Sequence, residues 1–172
     1  MVALTSTLGG YFGAGVVAAG TGIALNSGAT WFDPRPGRVN SLAPGKRVLW
    51  AGTPTLVLRE GRPFFAVGAP GARKILSAVL RTILNVVDFG LGAQAAVSAP
   101  RLHCEGRQTL VDARLDPATI EGLRRLGHEV AVREETFGTS HFARPAAVLV
   151  EPGTGRLRGG VNLFNPAYAI GL

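Results

Sequence analysis

Residues 63–87 have the sequence PFFAVGAPGARKILSAVLRTILNVV, and this stretch decides the fold. Residues 63–67 are apolar and β-compatible, and with residues 55–58 they flank a turn at Glu60-Gly61, which predicts a β-hairpin. Residues 75–87 carry isoleucine, leucine and valine at helical spacing with polar residues on the opposite side, which predicts an amphipathic helix. The chain therefore passes from an antiparallel strand pair, through residues 68–72, directly into a helix.

The segment of the sequence that is best suited to take part in catalysis is the connection Gly68-Ala69-Pro70-Gly71-Ala72. A glycine turn at the start of a helix leaves backbone N–H groups without intrahelical partners. Two such donors can stabilise an oxyanion, each contributing about 3 kcal/mol to kcat. The same sequence also suits an ordinary strand-to-helix turn, and the pattern alone favours that simpler interpretation.

Further elements lie on both sides of this stretch. The predicted ones that follow it are two helices, a strand and a second hairpin, at 93–99, 118–126, 129–133, and 146–150 with 156–161. Residues 1–32 are uncharged and glycine-rich, which predicts short buried strands joined by glycine turns, and residues 33–47 form a Pro/Gly-rich loop. Because most predicted strands are adjacent in sequence and helices are few, we predict an α+β fold with antiparallel sheets and helices packed outside.

Composition excludes several classes of protein. The 172 residues are 47% hydrophobic and 17% charged, which is typical of one globular domain and not of a disordered chain. The net charge is +7, but apart from the adjacent pair Arg124-Arg125 the arginines are scattered singly, whereas nucleic-acid sites cluster their cations; we therefore predict no nucleic-acid partner. Residues 1–32 contain too many glycines and polar residues for a membrane span, so no membrane partner is predicted.

Familiar motifs for cofactors and metals are incomplete in this sequence. Residues 13–18 satisfy G-x-G-x-x-A, but the glycines that follow prevent the helix that a dinucleotide site requires. The single cysteine excludes an internal disulfide and a cysteine-built zinc site, and His103-Cys104 has no second ligand at metal-binding spacing. No G-x-S-x-G motif is present. We predict neither a cofactor nor a metal.

A series of short motifs runs in a fixed order along nearly the whole chain. They are Thr5-Ser6-Thr7-Leu8 with Phe12-Gly13, Gly20-Thr21-Gly22-Ile23 with Leu25-Asn26, Pro44-Gly45-Lys46-Arg47, Thr53-Pro54-Thr55, Gly68-Ala69-Pro70-Gly71, Asn85 with Asp88-Phe89-Gly90, Ala99-Pro100-Arg101 with His103, and Gly127-His128. In this order they resemble the small-subunit half of the γ-glutamyltransferase family. Residues 31–38 are most similar to its atypical, oxamate amidohydrolase-like branch.

The resemblance implies a fold and a chemistry. The fold would be half of the four-layer αββα sandwich of the N-terminal-nucleophile hydrolases. In that family a precursor cuts itself to free a threonine, which attacks a γ-glutamyl or related small amide and passes the acyl group to water or an amino acid. The family's nucleophile motif precedes the stretch that matches Thr5–Leu8. We therefore expect residues 1–172 to be a single C-terminal, small-subunit-like domain that lacks the start of the subunit.

The resemblance also implies site residues, several of which depart from the family pattern. Thr7 matches the threonine that supports the nucleophile, and Gly71 and Ala72 match the paired glycines of the oxyanion hole. The substrate-binding positions of the family fall at Gly9 for an asparagine, Trp31 for an acidic residue, and Trp50-Ala51 for a serine pair.

Two of these departures from the family pattern affect backbone strain and substrate recognition. If Ala72 needs a positive φ, alanine costs about 1–3 kcal/mol there, and if Ala72 is only the first helical residue, alanine is comfortable. Replacing a serine pair by Trp50-Ala51 removes two hydroxyl donors, which weakens recognition of a substrate carboxylate. A smaller or more apolar acyl group suits Trp31 and Trp50 better.

Two functions follow from the resemblance. The first is an amidohydrolase or acyl-transfer domain that uses a threonine which residues 1–172 do not include, so this chain alone is expected to be inactive. Its expected partners are a small amide substrate and a large-subunit-like chain, or a second copy, that completes the sheets. The alternative is a catalytically degenerate homologue that serves as a binding or structural subunit.

Overall fold

The structure, a computed structural model, describes residues 1–171 and divides into two compact units. The larger unit contains Met1–Thr5 and the chain from Ala51 onward, and the smaller unit contains Ser6–Trp50. All the helices longer than one turn and all the strands of the described chain belong to the larger unit. The prediction that 1–172 is a single C-terminal domain stays a prediction.

A four-stranded antiparallel sheet forms the centre of the larger unit. Its strands, in spatial order, are β1 (Thr55–Arg59), β2 (Arg62–Gly68), β6 (Ala146–Val150) and β7 (Leu157–Val161). The predicted hairpin is confirmed, since Thr55 pairs with Val67 and Arg59 with Arg62. The second predicted hairpin is confirmed too, since Ala146 pairs with Val161. Strand β2 joins the two hairpins by pairing with β6 from Phe65–Leu149 to Gly68–Ala146.

Helices α1 (Ile75–Val87) and α2 (Ala93–Ser98) contact this sheet, and both agree with the sequence-based prediction. The core between them contains Phe65 and Val67 of β2, Val79 of α1 and Val97 of α2. Side chains alternate across a strand, so neighbouring residues such as Val148 in β6 point away from this core and are exposed. Burial of the α1 apolar stripe is the main reason that residues 75–87 hold their helix.

A three-stranded sheet lies beside helix α3 (Pro117–Arg125), and two of its strands were not predicted. It has the order β3 (Leu102–Cys104), β4 (Gln108–Asp112) and β5 (Glu129–Arg133), and sequence reasoning missed β3 and β4. β3 and β4 pair antiparallel, but β4 and β5 pair parallel. Helix α3 (Pro117–Arg125) connects the parallel pair, because a parallel return needs a long crossover. The predicted α+β class with antiparallel sheets is confirmed, and the three-stranded sheet adds one parallel pair that the prediction did not include.

The N-terminal segment also differs from its prediction. Residues 1–32 were expected to form short buried strands, but their regular pairing is limited to an isolated bridge between Val17 and Ala24 and a 3-10 helix at Gly28–Trp31. Tyr11 and Phe12 are exposed, so apolar character in this segment does not produce burial within this chain. Turns at glycines with positive φ, such as Gly13 and Gly22, interrupt the extended stretches. Within residues 1–171, no helix has the length and apolar character required to cross a bilayer.

Candidate functional site

The turn between β2 and α1 is strained. Gly71 has a φ of +145° and ψ of 21°, and Ala72, the first residue of the short 3-10 helix Ala72–Lys74, has a φ of +54°. A non-glycine residue in the left-handed region costs about 1–3 kcal/mol. Of the two alternatives that the sequence left open for Ala72, the strained one is correct. Strain of this kind persists only where surrounding contacts hold it, so neighbouring residues must stabilise the turn.

A distant loop, residues 140–144, braces this turn. A Cβ atom added to Gly71 would lie 2.4 Å from Ala143 Cβ and 2.5 Å from Ala143 Cα, so only glycine fits there. The backbone N–H of Arg144 donates to the carbonyl of Pro70 at 3.0 Å, and Lys74 Nζ donates to the carbonyl of Ser140. Sequence reasoning missed this loop, because no local pattern shows that residues so distant in the chain meet.

The backbone amides of Gly71 and Ala72 are available as donors. They lie at the N-cap and first position of a helix, where intrahelical carbonyl partners are lacking. No hydrogen bond joins either amide to an acceptor within residues 1–171. Ala72 is exposed and Gly71 is half-buried. Two consecutive free amides in a left-handed turn form an arrangement that can bind an anion.

A chain of polar side chains continues from this turn along α1. Arg73 pairs with Glu105 at 2.5 Å, and Glu105 Oε2 lies 3.6 Å from Nε2 of the buried His103. His103 Nδ1 lies 2.8 Å from the Ser77 hydroxyl. The hydrogen bond from Arg73 is the main reason that the pKa of Glu105 is lowered. This network ties the end of β3 to the first turn of α1, and its only sequence signal was the matching of His103 to a family motif.

Thr7 and Gly9 are brought together in the smaller unit. The Gly9 N–H donates to Thr7 Oγ1 at 2.9 Å, which forms a tight side-chain-to-backbone turn. Gly9 has a φ of +85°, and an added Cβ would lie 2.5 Å from Ser27 Oγ. The Ser27 hydroxyl also accepts the Gly10 N–H at 3.0 Å. Ser27 therefore occupies the space that a larger residue at position 9 would need.

Asn40 links the chain at the two tryptophans of the sequence. Asn40 Nδ2 donates to the carbonyl of Trp31 at 2.6 Å, and Asn40 Oδ1 accepts the N–H of Leu49, next to Trp50, at 3.0 Å. Trp31 is half-buried and Trp50 is 46% exposed. Ala51 is half-buried and is assigned to the larger unit. Sequence reasoning named both tryptophans but missed Asn40, which bonds backbone groups nine residues away on either side.

The carboxylate nearest Trp31 in sequence is already paired. Asp33 accepts Arg35 Nε at 2.9 Å and Arg35 Nη2 at 2.8 Å, and it also accepts the Arg35 backbone N–H at 3.0 Å. The side-chain hydrogen bonds from Arg35 are the main cause of the lowered pKa of Asp33. A paired and ionised Asp33 has little capacity left for a substrate ammonium.

A second ionic cluster lies at one end of the three-stranded sheet and is structural. The buried Arg101 pairs with the buried Glu135 at 3.3 Å, and Arg114 pairs with the buried Asp112 at 2.5 Å. Burial is the main cause of the lowered pKa of Arg101. The charges balance within the cluster, as buried charges require. In the described part of the chain, no three His, Cys, Asp or Glu side chains gather as metal ligands would.

The fold and the turn define the class of protein. Helices packed outside largely antiparallel sheets agree with the fold of the N-terminal-nucleophile hydrolases, the class to which the similar solved structures belong. A sequence profile described as Gamma-glutamyltranspeptidase matches residues 1–162. The chain belongs to the gamma-glutamyltranspeptidase family and corresponds to its C-terminal, small-subunit-like part.

Three similar proteins illustrate the relationship. The Acylase ACY 1 proenzyme of Pseudomonas sp. (strain SE83) is 42% identical over 130 residues, which cover 76% of this chain and 23% of that protein. The Glutathione hydrolase proenzyme of Escherichia coli (strain K12) is 34% identical over 150 residues, which cover 80% of this chain and 26% of that protein. The structure of gamma-glutamyltranspeptidase from Pseudomonas nitroreducens complexed with L-DON matches with a TM-score of 0.82 at 26% identity, covering 99% of this chain and 93% of that chain. This chain spans about a quarter of the length of the two curated relatives.

Proposed function

We propose that this chain is the acyl-transfer part of an enzyme that hydrolyses or transfers the acyl group of a small amide. Membership of a family that includes an acylase and a glutathione hydrolase supports amide chemistry. The observation that carries the proposal is the turn at Gly71 and Ala72, where two consecutive free amides follow a strand. We assign the oxyanion hole to these two amides.

The proposed reaction proceeds through an acyl-enzyme. A threonine hydroxyl, supplied from outside residues 1–172, attacks the amide carbonyl and gives its proton to the base, which in this family is thought to be the threonine's own α-amino group. The amides of Gly71 and Ala72 stabilise the negative oxygen of the tetrahedral intermediate. The C–N bond then breaks, the amine leaves with a proton, and water or an acceptor amine attacks the resulting ester. Thr7 is assigned to supporting the nucleophile.

The bracing of the turn supports this assignment. An oxyanion hole must be rigid, because donors that reorganise during the reaction lose much of their effect. Ala143 contacts the turn so closely that Gly71 tolerates no Cβ, and Arg144 fixes the carbonyl of Pro70. An ordinary strand-to-helix turn has no need for an alanine held at positive φ.

We propose a large-subunit-like chain as the partner. The two curated relatives are proenzymes about four times the length of the matched segment, so most of their sequence lies outside that segment. Exposed apolar side chains, including Val2, Leu4 and Tyr11, supply surface that such a partner would bury. A second copy of the chain is the alternative partner.

A degenerate homologue remains the second candidate function. Gly9, Trp31, Trp50 and Ala51 stand where the family carries polar substrate contacts, so the residues for a γ-glutamyl group are largely replaced. In this candidate the chain binds a ligand or a partner without turnover.

The test is an assay of the protein expressed from its complete open reading frame. The protein is incubated with γ-glutamyl anilide, oxamate and simple acyl anilides, while intact mass is followed for self-cleavage. We expect cleavage of the chain and release of aniline. A folded, uncleaved protein that turns over none of these amides would exclude the amidohydrolase function and favour the degenerate homologue.

A matched pair of glycine variants tests the oxyanion assignment. Gly71→Ala inserts a Cβ against Ala143, and we expect kcat to fall by about 10²–10³ as the donors are displaced. Gly153→Ala is the control, because Gly153 also has positive φ, at +82°, but has open space at its Cβ. Circular dichroism on both variants separates loss of catalysis from loss of fold. Equal kcat in the two variants contradicts the assignment.

A further inference from the structure

We propose that Asn40 positions Trp31 and Trp50 as a recognition element for an aromatic or aliphatic acyl group that carries no ammonium. This inference deepens the proposed function and rests on it, since it names the substrate class of the same amide reaction. Asn40 is a positioning residue in this proposal, and the two tryptophans are the groups that contact the acyl chain.

The Asn40 side chain bridges two backbone segments. One side-chain amide bonds the carbonyl of Trp31 and the N–H of Leu49, so it uses both its donor and its acceptor on backbone groups that flank the two indoles. The two chain segments are thereby fixed on either side of one short side chain. Alanine at position 40 makes neither bond, because its side chain has no polar atom.

Charge in the smaller unit disfavours a substrate ammonium. Asp33 is the only acidic residue in Ser6–Trp50, and Arg35 holds both of its carboxylate oxygens. The unit's cations are Arg35, Arg38, Lys46 and Arg47, so its net charge is positive. An α-amino group on the substrate would find repulsion and no free carboxylate there.

Apolar surface in the same segment favours an uncharged acyl chain. Trp50 is 46% exposed, and the adjacent Leu49 is 69% exposed, so both present apolar atoms to solvent. Indole faces stack on aromatic groups and pack on aliphatic ones, and removal of both from water favours binding. The segment therefore offers apolar contact at the positions where the family binds charged and polar groups.

The experiment is a fluorescence titration of the chain of residues 1–172. Trp31 and Trp50 are the only tryptophans in the sequence, so selective tryptophan emission reports on this element alone. The probes are 3-phenylpropanamide and phenylalaninamide, which differ only by the α-ammonium. We expect a saturable change in emission with 3-phenylpropanamide and at least about tenfold weaker binding of phenylalaninamide, which corresponds to about 1.4 kcal/mol.

Variants separate positioning from folding. Asn40→Ala is expected to reduce the preference for 3-phenylpropanamide to within about threefold, whereas Asn26→Ala, which removes a local bond to the Gly28 N–H, keeps it. Arg35→Gln frees the Asp33 carboxylate and is expected to strengthen binding of phenylalaninamide, a gain that an unfolded variant cannot show. These changes in selectivity are effects that a merely structural residue would not produce.

Defined outcomes overturn the inference. It fails if both probes bind equally, if neither gives a saturable change, or if Asn40→Ala keeps the full preference. The titration needs no turnover, so its result is independent of the amidase assay. Selective binding without amide cleavage would support the recognition element and contradict the enzymatic function. Cleavage of γ-glutamyl anilide without selective binding would support the enzymatic function and contradict the recognition element.

Discussion

Ala72 shows how one residue can carry backbone strain at a candidate site. Its φ of +54° is a conformation that glycine adopts freely and alanine does not. The family that the sequence resembles carries a glycine at the matching position, and this chain adopts the left-handed conformation there with a residue less suited to it. The contacts of Ala143 and Arg144 with the preceding residues are what hold the turn in place.

Ala72→Gly is therefore expected to stabilise the protein. Relief of the left-handed strain outweighs the extra freedom of glycine in the unfolded chain, leaving a net gain of about 1 kcal/mol. For a chain of this size the melting temperature should rise by about 2–4 °C. Thermal unfolding followed by circular dichroism measures the change.

Ala95→Gly provides the control for that prediction. Ala95 is exposed within α2, where glycine should lower stability by about 1 kcal/mol. Opposite signs for the two alanine-to-glycine changes support left-handed strain at Ala72. A loss of stability in both variants would show that the turn is not strained.

At the scale of elements, α2 protects an open sheet edge. β7 is an end strand, and Gln94 of α2 donates to the Val161 carbonyl at 2.8 Å and accepts the Val161 N–H at 3.2 Å. Gly160 permits this close approach, because a Cβ there would lie 2.6 Å from the backbone of Ala93. The side chain of Gln94 thus replaces a neighbouring strand at one position of the edge.

Gln94→Ala should open this edge. We expect faster hydrogen exchange at the Val161 amide, a loss of about 1 kcal/mol in stability, and more self-association at high concentration. Hydrogen exchange by NMR and analytical ultracentrifugation measure these effects. Gln108→Ala is the matched control, because Gln108 lies on an exposed strand position and makes only a long contact with Glu129. Unchanged exchange at Val161 would show that Gln94 does not protect the edge.

Elements with strong local patterns were predictable, and those that depend on distant partners were not. The hairpin of β1 and β2 and helix α1 follow from strand propensity, a turn and helical periodicity, all within a short span. The parallel pairing of β4 with β5 was missed, because β4 itself was not recognised and a crossover helix gives no sign of which strand it returns to.

The site residues that the resemblance names stay predictions, and the contacts that support them were missed. The resemblance named Gly71, Ala72, Trp31 and Trp50, but only the structure shows the φ of Ala72. Asn40 and Ala143 act on backbone groups that are remote in sequence, and no spacing rule signals such contacts. Apolar residues near the N-terminus predicted burial wrongly, since propensity cannot tell which surface covers them.

At the scale of the whole molecule, three exposed ion pairs make stability depend on pH. Hydrogen bonds lower the pKa of each carboxyl: from Arg35 at Asp33, from Arg73 at Glu105, and from Thr154 first and then Arg158 at Glu151. A carboxyl with a lowered folded-state pKa stabilises the protein above its unfolded pKa. That contribution is lost as pH falls through the folded-state pKa.

We therefore expect stability to be constant above about pH 5 and to fall below about pH 4. Urea unfolding at both ends of this range measures the effect, and high salt should weaken it because the pairs are exposed. In the triple variant Asp33→Asn, Glu105→Gln, Glu151→Gln, the free energy of unfolding should decrease less as the pH falls below about 4. If the triple variant loses stability at low pH as steeply as the wild type, other carboxyl groups cause the loss.

The contact of Ala143 with Gly71 also bears on how the protein is made. Residues 68–72 emerge from the ribosome long before residues 140–144, yet the later segment supplies the atoms that fix the earlier one. A nascent chain that has not reached Arg144 lacks these braces and cannot hold the turn. Formation of the Gly71–Ala72 turn is thereby coupled to synthesis of a segment about 70 residues further along the chain, so the turn cannot be set by local sequence alone during translation.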